Sequence, residues 1–99
     1  MVRILLEENA KEATYTVVTT GHATGSAACC AAISALVQSL DTWLHYAGAE
    51  IRQEIVKHGA TVLIFSGEGA DVAFQVVKLG LLRLESTYPE LISSEIFEV

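Results

Sequence analysis

Within Gly21-His22-Ala23-Thr24-Gly25-Ser26-Ala27-Ala28-Cys29-Cys30, one imidazole and two thiols stand on either side of a glycine-bearing turn. A thiol becomes a strong nucleophile when a neighbouring base takes its proton, so a Cys/His pair is a pattern of covalent catalysis at a carbonyl. Upstream, residues 13–20 (Ala-Thr-Tyr-Thr-Val-Val-Thr-Thr) are rich in β-branched and aromatic side chains. They read as a strand that ends at Gly21 and leaves His22 just beyond its last pair. Downstream, Ser26 is placed to cap an Ala-rich run, and alanine is the best helix former, so both cysteines fall near the first turn of a helix. Unpaired N–H groups and the positive end of the helix dipole favour a thiolate there. Along this helix Ile33, Val37, Leu40 and Leu44 recur at helical steps as a core face, while Cys30, Ser34, Gln38, Asp41 and His45 follow a more polar line. Cys29 is turned about 100° from Cys30 toward the Ile33 side. Cys30 is therefore the thiol placed to meet His22.

The elements that must position this stretch run in the order ββαββαβ. Residues 2–6 form the first strand, an acidic turn follows through Glu7, Glu8, Asn9 and Lys11, and residues 13–20 return as the second strand of a hairpin. The helix is expected over 27–47, stopped by Gly48 as a left-handed cap. Strands at 51–57 and 60–65 flank His58-Gly59, a tight turn with glycine at positive φ, although Ile51, Ile55 and Val56 also suit a helix continuing past Gly48. Residues 60–65 are nearly continuously apolar, as expected for a strand with both faces covered. Gly67 and Gly69 mark a turn, a second helix starts at Asp71 and runs to Tyr88, Pro89 closes it, and residues 91–99 make a final edge strand. This order predicts a single α+β domain over residues 1–99, with two helices packed on a mainly antiparallel sheet.

An apolar content of 52% and a mean hydropathy of +0.43 supply an ample core for 99 residues and exclude a disordered chain. Twelve acidic against six basic side chains give a net charge of -6 and a pI ≈ 4.8, without a basic cluster, so direct nucleic-acid binding is not expected. The longest nearly apolar stretch, 27–40, is interrupted by polar residues and falls short of the roughly 20 needed to span a bilayer. The opening residues lack the order of a signal peptide, so a soluble, cytoplasmic protein with reduced thiols is expected. No cofactor is expected. No metal is expected either, since His22, Cys29, Cys30 and His45 lack paired ligand spacing. His45 and His58 read as a solvated helix position and a turn residue. Trp43, Tyr46, Leu79 and Leu82 offer apolar surface for a dimer.

Thr20-Gly21-His22-Ala23 followed by Cys30-Ala31-Ala32-Ile33-Ser34-Ala35-Leu36 resembles the ribosomal-processing cysteine proteases, the Prp family. That pattern is Gly-His-Ala, a variable loop, and Cys-Ala-(small)-(apolar)-Ser-(small)-Leu. The hairpin at His58-Gly59 and the closing Glu85-Ser86-Thr87-Tyr88-Pro89 before a last strand are similar too. The resemblance implies a homodimeric cysteine endopeptidase that removes the N-terminal extension of a large-subunit ribosomal protein. Cys30 would be its nucleophile, His22 its base, and Gly21 and Ser34 would shape the site and hold substrate. This chain carries Gly25 and Ala27 where many members have Gly-x-Asp-x-x-Cys, and its loop before Cys30 is shorter. Backbone N–H groups of the helix's first turn are the expected oxyanion donors. Among acidic residues, Glu68, Asp71 and Asp41 are candidates to orient His22. For Ser34 the competing role is a hydroxyl bonded back to the carbonyl one turn earlier. The competing reading of the whole chain is a non-catalytic, dimeric protein-binding module with the same fold.

Overall fold

A computed structural model describes residues 1–99. Strands β1 (Val2–Asn9), β2 (Thr14–Thr20), β3 (Glu50–Lys57), β4 (Ala60–Ser66) and β5 (Ile92–Glu98) form one sheet, and helices α1 (Ala27–Tyr46) and α2 (Ala70–Thr87) cover one of its faces. The chain order is ββαββαβ, and the spatial order is β3-β4-β2-β1-β5. Every pair is antiparallel except β1 with β5, which lies parallel because α2 carries the chain back over the sheet before β5 starts.

Alternation along the strands decides what the helices cover, because successive side chains point to opposite faces. Val2, Ile4 and Leu6 of β1, Tyr15 and Val17 of β2, and Leu63 and Phe65 of β4 are buried beneath the helices. Tyr15 stacks between Phe65 and Phe74, with ring centroids 5.9 and 5.1 Å away. The continuous apolar run of β4 does not have both faces covered. Val62 and Ile64 stay only partly buried, because neither helix reaches the far face and flanking strands alone shelter them. The first hairpin is also longer than expected. Glu7 and Glu8 belong to β1, paired with Thr16 and Tyr15, and the turn shrinks to residues 10–13, where the Glu12 N–H donates to Asn9 Oδ1 at 3.1 Å. Residues 50–57 are a strand rather than a continuation of the helix, held as the sheet's edge by pairing with β4 alone.

Helix α1 places the thiols. Cys29, Ile33, Val37, Leu40 and Leu44 are its buried residues, and fully burying each aliphatic side chain contributes about 1.5–3 kcal/mol. At 20 residues α1 is longer than its 27–40 apolar stretch and is long and apolar enough to cross a membrane; in this fold that stripe packs on the sheet.

Candidate active site

Ser26 starts α1 with extended backbone angles, and its Oγ accepts the Cys29 N–H at 3.1 Å. This cap fixes the rotation of the first turn, and the rotation separates the two thiols. Cys29 points into the core with no exposed surface, and burial, then the neighbouring Cys30, push its thiol above the ordinary range. Cys30 is half-buried and faces a cleft of about 680 Å³. Its Sγ accepts the Ala23 N–H at 3.3 Å and lies 3.8 Å from the Ala23 carbonyl oxygen. The sulfur therefore sits against the peptide unit that immediately follows His22.

His22 reaches the same cleft from the end of β2. Gly21 makes that possible: φ is +93°, and a Cβ there would lie 2.4 Å from the Met1 carbonyl oxygen. The Gly21 N–H donates to the Gly59 carbonyl at 3.0 Å, which ties the end of β2 to the β3–β4 turn. Gly59, at φ +79°, leaves room for the imidazole, since a Cβ would stand 2.7 Å from both Cε1 and Nε2 of His22. The His58 ring lies across from it, with centroids 4.8 Å apart and planes inclined by 39°. His58 is thus a cleft residue, not only a turn residue. No local signal in the sequence marks this: the antiparallel β2–β4 pairing, with Thr20 opposite Ala60, sets the His58-Gly59 turn against the residue after Gly21.

Of the residues singled out by sequence, Gly21, His22, Cys30 and Ser34 line one cleft. The Ser34 hydroxyl accepts a hydrogen bond from Gln38 Nε2 at 2.6 Å on the cleft wall. Among the acidic candidates only Asp41 lines the cleft. It belongs to a separate cluster at the far end, where His45 Nε2 lies 2.5 Å from Glu54 Oε2 and 3.8 Å from Asp41 Oδ1. Asp41 Oδ1 is buried without a hydrogen-bond partner, and burial, then the adjacent Glu54, push that carboxyl up to about 6. Glu54, through its contact with His45, raises that imidazole above its ordinary range, while Asp41 and His45 hold Glu54 below the usual carboxylate range. Asp41, His45 and Glu54 place ligand atoms within 4.8 Å of one another and are the residues able to share a cation. The set His22, Cys29, Cys30 and His45 is not brought together. The expected oxyanion donors are also partly occupied: the Cys29 N–H is taken by Ser26 Oγ and the Cys30 N–H by the Ser26 carbonyl at 3.3 Å. Of the apolar residues considered for a dimer, Trp43 packs over Gly69, whereas Tyr46 and Leu79 are exposed.

A half-buried thiol at a capped helix start and an imidazole line one cleft on an α+β frame. The sequence profile of the family described as cysteine protease Prp matches residues 1–93, and the chain belongs to that family; it is a cysteine protease. No curated protein matches the chain in sequence. Among solved structures, the fold is similar to the essential ribosomal processing protease Prp of Staphylococcus aureus with a covalently linked product peptide. The TM-score is 0.82 at 17% identity, covering 97% of this chain and 99% of that one. The same S. aureus protein with a substrate peptide gives a TM-score of 0.77 at 19% identity over the same shares of both chains. The SMU.848 protein of Streptococcus mutans gives 0.75 at 21% identity, covering 100% of this chain and 96% of that one. At these identities the likeness carries the fold, including the mostly antiparallel five-stranded sheet and its two helices.

Proposed function

We propose that this protease cuts the N-terminal extension from a large-subunit ribosomal protein, with Cys30 as nucleophile and His22 as base, and that it acts as a homodimer in the cytoplasm. The observation that carries the dyad is convergence: Cys30 from α1 and His22 from the end of β2 line one cleft, with the Ala23 peptide unit against the sulfur. The ribosomal substrate is supported by family membership and by the peptide-bound S. aureus relative, itself a ribosomal processing protease. An exposed apolar stripe on α2, Val72, Val76 and Leu79, supports a covered face in a dimer.

A peptide carbonyl enters the cleft beside Cys30, His22 accepts the thiol proton, and the sulfur adds to the carbonyl carbon. The electron pair moves onto oxygen. The Cys29 and Cys30 N–H groups are bonded to Ser26 and the Ala23 N–H to the Cys30 sulfur, so a donor to the oxyanion must give up one of these bonds, and losing one such donor costs on the order of 10²–10³ in rate. Collapse of the adduct breaks the C–N bond as His22 returns its proton to the leaving amine, forming a thioester. Water then attacks the thioester with His22 again as base, releasing the carboxylate product and restoring the thiol. Gly21 sets the turn that presents His22, and Ser34 with Gln38 forms a polar wall able to hold substrate backbone.

The test is incubation with a peptide spanning the extension junction, read by mass spectrometry. Cleavage is expected for the wild type and for Cys29→Ser, and a loss of about 10⁴-fold or more for Cys30→Ser. An active Cys30→Ser variant defeats the assignment, and binding without cleavage by the wild type turns the reading toward a non-catalytic module.

A further inference from the structure

We propose that His58 is the positioning residue for the catalytic imidazole, holding His22 by ring contact where other thiol enzymes use a hydrogen-bonded third residue. The proposal rests on the His22/Cys30 reading above. A general base must present one ring nitrogen to the thiol, and an exposed imidazole beyond a strand end rotates freely unless something fixes its plane. His22 is such a group. It is exposed, it follows a glycine, and neither of its ring nitrogens has a hydrogen-bond partner among the side-chain contacts of the protein. Of the three acidic candidates, Asp41 is engaged with His45 and Glu54 at the far end of the cleft, and Glu68 and Asp71 lie outside it at the start of α2.

The β3–β4 turn supplies what those carboxylates do not. Gly59 lies against the Cε1–Nε2 edge of the ring, since a single added methyl group there would stand 2.7 Å from those two atoms of His22. The Gly21 N–H bond to the Gly59 carbonyl locks that glycine to the segment carrying His22. The His58 ring, at 4.8 Å and a tilt of 39°, closes the remaining side at the distance and inclination of a favourable aromatic pair. Both contacts come from consecutive residues of one tight turn, so the hairpin touches the exposed His22 ring on two sides without hydrogen-bonding its nitrogens. Neither nitrogen is hydrogen-bonded, and Nε2 is the one that lies on the Gly59 side.

The positioning role requires a ring at residue 58 but not a titratable one. The experiment compares kcat and KM for junction-peptide cleavage by the wild type, His58→Ala, His58→Phe and His22→Ala, together with the NMR shifts of the His22 ring protons. His58→Ala is expected to lower kcat about two- to tenfold, the worth of one aromatic pair, with KM little changed. His58→Phe is expected to restore most of that loss. The His22 ring protons are expected to lose a ring-current shift in His58→Ala and keep one in His58→Phe, a readout that stands even if the peptide is not the substrate. Wild-type kcat in His58→Ala overturns the proposal, as does a loss that Phe does not rescue, which would assign His58 a proton or a polar contact. A loss confined to KM overturns it too, by making His58 a substrate contact. Full activity of His22→Ala would instead sink the dyad reading itself, whatever the His58 variants do.

Discussion

Two histidines, one lining the cleft beside Cys30 and one on α1 against the edge strand β3, are held in opposite ways. His45 is bound through its nitrogen: Nε2 lies 2.5 Å from Glu54, Asp41 is close by, and its charged form is favoured. His22 is touched by Gly59 along its Cε1–Nε2 edge and by the His58 ring, and makes no such bond. A nitrogen committed to a carboxylate holds two elements together but is a poor proton carrier. A ring held by contacts alone keeps its nitrogens out of such bonds. The end of α1 that bears Cys30 has the second arrangement, and the end that braces the edge strand has the first.

The contrast makes its largest prediction for the histidines themselves. His22→Ala is expected to lower peptide cleavage by about 10²–10⁴-fold, the usual worth of a positioned general base. His45→Ala, distant from Cys30, is expected to stay within about twofold, the scale of a surface substitution. Comparable losses in both, measured by kcat/KM, would erase the distinction. A smaller effect is expected of Gly59→Ala, which puts a methyl group where the His22 ring lies and places alanine at φ +79°, at a strain of roughly 1–2 kcal/mol. It is expected to cut kcat about tenfold or more through displacement of the base, with a matching fall in the alkylation rate of Cys30 by iodoacetamide. Normal activity in Gly59→Ala would mean that the Gly59 contact does not define the ring's position.

The smallest effect lies at the other end. Asp41 holds its proton up to about pH 6 in the folded protein against an ordinary value of 3.8, so the unfolded chain releases that proton first. Its contribution to stability is therefore present below pH 3.8 and is lost as pH rises to about 6. Asp41→Asn removes that penalty. A gain of about 1 kcal/mol, or roughly 4–8 °C in melting temperature, is expected near pH 8 after discounting for the part of Asp41 that water reaches. The gain is expected to vanish toward pH 4. A variant that melts lower than wild type near pH 8 would show that attraction between Asp41 and His45 outweighs the burial cost.

The short apolar run of β1, the helical spacing of Ile33, Val37, Leu40 and Leu44, and the Ser26 cap are local patterns readable within a few residues of sequence. The separation of Cys29 from Cys30 followed from the same spacing, since one step along a helix turns a side chain to a different face. The short acidic turn was misjudged because Glu7 and Glu8 are poor strand formers locally; pairing with Thr16 and Tyr15 overrides that preference. The open far face of β4 was not readable either, because an apolar run does not reveal how many helices lie above a sheet and how many below.

What the sequence by itself determined is the order of elements, the thiol that faces the cleft and the strand end that carries His22, all set by interactions within a few residues. Tertiary structure alone decided that β5 lies parallel beside β1, that His45 meets a carboxylate from the edge strand, and that the His58-Gly59 turn touches the His22 ring. Those contacts join residues far apart in the chain. Strand register fixes them, and register is a property of pairs of strands.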